Sequence, residues 1–512
     1  MTDKYSVQRA AFSVRQVMGF LLVLAIIAES GVAQGQDTIR LTLEQSIDIA
    51  LTKSFDARRL EQSLTSSRMS LKSAEAGFKS NGELSMTSLP NFEQNERKTP
   101  LPGGTFAFDR QQFLDVQTDM LVNQPLGATN GTFSLIGSLQ RFQQFSVKNP
   151  AGVSTNPSQY GTQIRLQFTQ PLFTYNSLKT GLRKAELNLE TTTQTYTRSQ
   201  LDLLYNVTAG FYDLYRSQQQ VVLDKQQVAQ AEEAFRITRL RQEAGLMTEL
   251  DVLRLDVDLA NAKNTFANSE ASLRQREDSF KTLIGVPIET SVEVTADLVY
   301  RPVAVSLQDA TARAMANRTE LRSDDIAIEL GEISVTEVDA QREINGQLLL
   351  SYGLFNRQSQ FQDIFSNLNN DRRVQLSVSV PLWDWSRNAY AVKAARANLE
   401  NDRLSRDYRV ETIKQEIRTA TRNFESARQR VEITRRSEEL AEKSYRISFL
   451  KFQNGELTTQ DLSLEQNRLA QARRNSLDAI IDYKQSIADL RRKTLWDYER
   501  NEPASLERKE NR

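Results

Sequence analysis

The 512-residue chain contains neither cysteine nor histidine. Without cysteine there are no disulfides and no thiolate metal sites; without histidine there is no imidazole metal cluster and no Ser–His nucleophile. Net charge is missing too, since 65 Lys and Arg offset 65 Asp and Glu. Bulk electrostatics therefore gives no reason to expect a nucleic-acid partner. Carboxylates are plentiful, yet no pair stands apart from the helix-surface background, so a carboxylate enzyme such as a glycosidase is not supported. The reading is of a non-enzyme without cofactor or metal. Basic runs such as Arg491-Arg492-Lys493 read as solvated helix faces.

Long hydrophobic runs are also scarce. Lys4, Arg9 and Arg15 precede a short apolar core from Val17 to Ala28, and Gly31-Val32-Ala33 offers small residues for cleavage. Residues 1–33 are expected to be an export signal. A membrane anchor is the alternative, but the run falls short of the roughly 20 residues a spanning helix needs. No later stretch reads as a helical span.

What is present is a duplication. Arg236 to Leu283 and Arg446 to Lys493 are near-copies, each a helix end, a tight turn and a second helix. The turns are Gly245-Leu246-Met247-Thr248-Glu249-Leu250-Asp251 and Gly455-Glu456-Leu457-Thr458-Thr459-Gln460-Asp461, at an offset of 455 − 245 = 210. Gly suits the left-handed position after a helix, and Thr followed by an acid three residues on suits the next helix start. Earlier in each half the offset is 264, from the entries at Leu43 and Leu307 to the Asn-Gly pairs at Asn81 and Asn345. Two such frames mark an internal repeat.

Between entry and turn lie segments that alternate at period two. Val374, Leu376, Val378 and Val380 alternate with Gln375, Ser377 and Ser379; Ile164, Leu166 and Phe168 alternate with Arg165, Gln167 and Thr169. Gly82–Leu89 and Gln347–Leu354 are weaker versions. Such strands suit a soluble sheet packed on one side, or a membrane barrel with lipid on one face and water on the other. The first half carries 264 − 210 = 54 extra residues, read as one more hairpin over 113–145 between exposed loops at about 91–112 and 146–159. Both halves leave the sheet through Pro-Leu-aromatic, at Pro171 and Pro381, where proline is expected to end a strand.

Long helices follow, Leu178 to Glu243 and Asn388 to Gln453. Their apolar seams step by four and three: Ile413, Ile417, Ala420, Phe424, Ala427 and Val431 on one, Leu469, Ala472, Ser476, Ala479 and Tyr483 on its return partner. A 3.5-residue period predicts side-by-side coiled-coil packing.

Over about Leu41 to Trp496 this pattern resembles the outer membrane efflux protein family, the TolC-like outer membrane factors. The carriers are the duplicated helix–strand–strand–helix–turn–helix order, the exits at Pro171 and Pro381, and the paired Gly-x-x-Thr-x-x-Asp turns. The resemblance implies an α+β membrane protein: a trimeric outer-membrane β-barrel continued by a periplasmic α-helical coiled-coil barrel. The first repeat would cover 41–300, with strands at about 82–171 and a helical hairpin at 178–284. The second would cover 301–497, with strands at about 345–381 and a hairpin at 388–495. A disordered tail, 498–512, would follow. Implied partners are two further copies, outer-membrane lipid, a periplasmic adaptor and an inner-membrane transporter of the RND, ABC or a similar class.

The implied function is a passive exit duct for efflux or type I secretion. It would be gated at a periplasmic tip made of Gly245, Thr248, Asp251, Gly455, Thr458 and Asp461. In the resembled family, acids at the second-repeat tip narrow the entrance. Asp461 occupies that place, while a second acid is replaced by Leu464. Asp461 either faces the axis or only caps its helix; Asp251 is expected to cap. Two strands from each repeat give four per chain and twelve in a trimer. The extra hairpin either projects outside or enters the wall. The rival reading is a soluble periplasmic coiled-coil adaptor or scaffold, which explains the seams but not strands ending in proline in both repeats.

Overall fold

The computed structural model describes residues 39–100, 102–104, 106–149, 153–155, 158–340 and 344–504. The expected export signal, 1–33, lies outside them. In chain order come β1 (Ile39–Leu41), α1 (Leu43–Lys53), α2 (Phe55–Ala76), β2 (Asn81–Pro100), β3 (Phe106–Leu126), β4 (Gly131–Asn149), β5 (Val153–Thr155) and β6 (Ser158–Leu172). Then follow α3 (Ser177–Glu243), α4 (Glu249–Ile284), β7 (Val292–Val294), α5 (Leu307–Asn317), α6 (Thr319–Ala340), β8 (Asn345–Gln358) and β9 (Asn369–Ser379). The chain closes with α7 (Arg387–Asn454), α8 (Thr459–Thr494), β10 (Trp496–Asp497) and β11 (Glu502–Pro503). The two halves match in scale: α3 and α7 have 67 and 68 residues, and α4 and α8 have 36 each.

The chain forms two compact units. The first holds residues 39–57, 203–302 and 424–488. There β1 pairs in parallel with β7, Ile39 opposite Val292. Thr42 and Gln45 make a reciprocal capping box that starts α1 beside this ladder. Leu41, Val207, Phe211, Leu214, Phe280, Ile284 and Val294 close a core around it. Gly285 ends α4 at φ 77°, and a Cβ there would sit 2.5 Å from the carbonyl oxygen of Lys53, so only glycine fits. The period-3.5 positions are the buried ones: Phe424, Ala427 and Val431 on α7, and Leu469, Ala472, Ser476, Ala479 and Tyr483 on α8. Small residues at these positions allow the helix backbones to approach closely.

The second unit holds the described residues of 58–202, 303–423 and 489–504. Its centrepiece is one antiparallel sheet in the order β2-β3-β4-β6-β8-β9, with β5 against β4. The register runs unbroken through the hairpin: Leu126 pairs with Gly131, Thr132 with Thr169, and Phe168 with Leu350. Elsewhere in this unit, Ala310 and Ala314 of α5 pack on Ile413 and Ile417 of α7. Arg322 of α6 holds Glu190 of α3 in a fork at 2.6 and 3.0 Å and reaches Glu329 at 3.1 Å. That fork is the first cause of the lowered Glu190 pKa.

Three expectations are revised. The stretches 91–112 and 146–159, expected as exposed loops, are largely strand: β2 runs to Pro100, β3 starts at Phe106 and β4 ends at Asn149. Their Pro, Asn and Gly content reads locally as loop, but cross-strand partners such as Gln112 and Gln94, joined at 2.8 Å, keep the ladder going. Pro171 does not end β6; it pairs with Gln347, and the strand continues to Leu172. Pro381 lies two residues beyond the end of β9. Finally, the expected tail, 498–512, begins as structure. Glu502–Pro503 pairs with Trp496–Asp497, Tyr498 packs against the α5–α7 cluster, and Arg313 stacks 3.5 Å over the Trp496 ring. Residues 505–512 lie outside the described residues.

Candidate functional site

The first unit brings the two matched turns together. Gly245 and Gly455 adopt φ 76° and 83°. Each closes its helix with a pair of backbone bonds. Gly245 N–H reaches Gln242 O at 2.9 Å and Leu246 N–H reaches Arg241 O at 2.8 Å; Gly455 N–H reaches Phe452 O at 3.0 Å and Glu456 N–H reaches Lys451 O at 2.9 Å. This is the Schellman arrangement, which satisfies carbonyls left over at a helix end.

The next helices start alike but not identically. Thr248 caps α4 in a full box, its hydroxyl donating to Asp251 Oδ2 at 2.6 Å and accepting from the Asp251 amide at 3.3 Å. The Thr458 hydroxyl donates to Asp461 Oδ2 at 2.7 Å and accepts from the Asp461 amide at 3.1 Å. The Asp251 carboxylate does more than cap: its Oδ1 accepts from the buried Thr459 hydroxyl at 3.0 Å, linking one turn to the other. Chiefly the Thr248 hydroxyl, and after it Thr459, hold the Asp251 pKa below its ordinary value. Asp461 is exposed and has no such cross-link among the described contacts.

Three further bonds join the two copies here. Arg241, in the last turn of α3, donates to Phe452 O at 2.9 Å and Gln453 O at 2.5 Å, at the C-terminus of α7. Its guanidinium also lies 5.6 Å from the Phe452 ring centre. A cation on the last carbonyls of a helix is favoured both by the bonds and by the helix dipole. Ser463 donates to Asp258 at 2.7 Å. Beneath them Ala234, Leu255, Phe452 and Leu462 form a small apolar cluster. Alongside lies a groove of about 600 Å³ lined by Leu250, Leu253, Val257, Thr459 and Ser463, with the three apolar side chains exposed.

Sequence reasoning singled out Gly245, Thr248, Asp251, Gly455, Thr458 and Asp461, and these six lie at the two turns. It missed Arg241, Thr459, Ser463 and Asp258. Arg241 matches Lys451 at the 210 offset, so a basic residue at a helix end was visible. Its target on the other copy was not.

The second unit presents a different surface. Each of the six main strands carries an apolar side chain on one face: Leu84, Met120, Leu135, Leu166, Leu350 and Leu376, from 37% exposed at Leu350 to 74% at Leu84. The opposite face is polar, with Asp119, Ser138, Gln167 and Gln375 at alternate positions. A soluble sheet would cover such a face. Pro171 and Pro381 sit where this sheet gives way to α3 and α7. Among the described residues no helix is long and apolar enough to cross a membrane.

The sequence pattern of the outer membrane efflux protein family matches residues 140–286 and 312–494. The chain belongs to the outer membrane efflux protein family. The match covers parts of both halves of the chain, and this efflux protein is accordingly an outer-membrane protein with a periplasmic helical domain. It is 21% identical over 309 residues to the outer membrane efflux protein BepC of Brucella suis, covering 60% of this chain and 66% of that relative's length. In fold it is similar to the CmeC outer membrane channel of Campylobacter jejuni, at TM-score 0.67 and 13% identity over 88% of this chain and 85% of that one. It is also similar to the open-state MtrE channel of Neisseria gonorrhoeae, at TM-score 0.63 and 14% identity over 88% of each chain.

Proposed function

We propose that this efflux protein is the outer-membrane exit duct of a tripartite efflux or type I secretion system, a passive conduit made of three copies. The observation that carries this reading is the sheet of the second unit. It exposes a lipid-type face, turns a polar face the other way, and among the described residues leaves β2 and β9 with one unpaired edge each. An open edge cannot remain in hydrocarbon, because each unpaired backbone group costs several kcal/mol there. Copies must therefore supply the missing partners. A soluble adaptor would have no use for such a face. The test is extraction and reconstitution: the protein should require detergent, run as a trimer and conduct ions across a planar bilayer. A detergent-free monomer with no conductance would refute it.

The paired turns are proposed as the gate and docking point at the periplasmic tip. Parting the two helical hairpins at the tip would break the Arg241, Thr459–Asp251 and Ser463–Asp258 bonds and open the Ala234, Leu255, Phe452 and Leu462 cluster, whereas the Ala and Ser seam positions further along bury little apolar area. The Leu250, Leu253 and Val257 groove offers an apolar surface for a periplasmic adaptor that would bring an inner-membrane transporter. With Asp461 exposed and one carboxylate oxygen held by Thr458, three copies would place a ring of negative charge that favours cations. Cation preference of Asp461→Asn equal to that of the native channel would leave capping as its whole role.

A further inference from the structure

We infer that the transmembrane wall has six strands per copy and eighteen in the trimer, so that the outer-membrane bore is much wider than twelve strands allow. The inference rests on the trimeric duct proposed above and concerns what its wall is made of. Three features of the β3–β4 hairpin carry it.

The first is register. β4 lies between β3 and β6 and pairs with both, from Phe133 opposite Phe168 to Leu139 opposite Thr162 on one side and from Gln124 opposite Phe133 on the other. The hairpin is interior to the sheet, so it cannot be lifted out without breaking two ladders. The second is the apolar band. Along one backbone row Val122, Leu135, Leu166 and Tyr352 are direct neighbours. On β9 the band occupies Val374 to Val378, and on β2 it occupies Leu84, Met86 and Phe92. It thus moves along the strands from one edge of the sheet to the other, as a level belt must when strands tilt. A hairpin standing outside the membrane would have no reason to continue that belt. The third is the turn. Asn176 donates to Gly127 O at 2.8 Å, Gln170 donates to Thr129 O at 2.7 Å, and Ser177 donates to Asn130 Oδ1 at 3.0 Å. The hairpin therefore starts at the level where β6 passes into α3, as a wall strand does.

The unpaired edges of β9 and β2 then meet between copies, and three copies of six strands close the wall. With strands about 4.8 Å apart and tilted by about 40°, the backbone radius is about 18 Å for eighteen strands against about 12 Å for twelve. Inward side chains take about 5 Å from each side, leaving a bore about 26 Å across instead of about 14 Å. The membrane segment would not be the size filter of this duct.

The test uses full-length protein reconstituted in bilayers, with polyethylene glycols added on the extracellular side only. Glycols about 20 Å across should enter the native channel and lower its conductance, since they fit the wider bore and not the narrower one. Deleting 106–149 leaves β2 running outward and β6 running back, a four-strand copy; this trimer should exclude the same glycols. Images of the native trimer down its axis should count eighteen strands. A trimer with twelve strands in the membrane, or one that shares the exclusion limit of the deletion variant, overturns the inference and leaves the duct standing. A particle that is not a trimer, or that conducts nothing, overturns both.

Discussion

Arg241 is where the gate reading is most open to measurement. Replacing it with methionine keeps the aliphatic stem but removes the donors to Phe452 O and Gln453 O. In a part-exposed setting each bond contributes about 0.5–1 kcal/mol net, and a cation at a helix C-terminus adds about 0.3–1 kcal/mol. Their sum, about 2 kcal/mol, shifts the ratio of clasped to parted hairpins about 30-fold. The assay is single-channel recording of Arg241→Met beside Lys451→Met, the same change at the matching place in the second copy. Arg241→Met should raise open probability steeply and speed hydrogen exchange over Phe452–Leu457, while Lys451→Met should stay near the native channel. If both variants record alike and exchange over that segment is unaltered, the Arg241 contact is not part of the gate.

Other outcomes follow from the same geometry. Because the folded Asp251 carboxyl titrates below its ordinary value, its contribution is present above the ordinary carboxylate range and is lost as pH falls through the depressed value. Local exchange at 249–252 should therefore accelerate on acidification, and Asp251→Asn should flatten that dependence. Gly245→Ala and Gly455→Ala force a side chain into left-handed backbone, destabilising the turns by about 1–2 kcal/mol each. Gly181→Ala, in open helical space, should instead stabilise by up to about 1 kcal/mol in thermal melts. On β9, Leu376→Arg should cut the yield of assembled trimer, at about 2–4 kcal/mol near the bilayer centre, whereas Gln375→Arg, one residue away on the other face, should assemble normally.

Much of this was readable from residues alone, because the signals were local. A glycine after a helix, a threonine three residues before an acid, and a 3.5-residue seam each report on their own neighbourhood. Their physical causes, left-handed backbone, capping and close packing, act within a few residues. The alternating strands were legible where the alternation was strict, at Ile164–Phe168 and Val374–Val380. They were missed where Asn, Gln and Pro interrupt it, in 91–112 and 146–159, since there the ladder is sustained by partners distant in sequence. The same limit hid Arg241, Thr459 and Ser463. Each acts across to the other copy of the repeat, and no periodicity in one segment names its opposite number.

The strands of the sheet are unequal. β3 has 21 residues and β9 has 11, whereas a tilted crossing takes about 9–11. In the proposed barrel about half of β3 would have no lipid beside it, and the excess would lie on the side away from the turn anchored by Asn176. An eighteen-stranded duct would thus carry three tall ribbons into the medium around the cell. They would be the first part met by an antibody, a phage or a neighbouring polysaccharide layer. At their crest Gly103 and Gly104 have φ 105° and 80° and no atom within 4 Å of a would-be side chain, so a foreign epitope spliced between them would display itself while the passage below kept its shape.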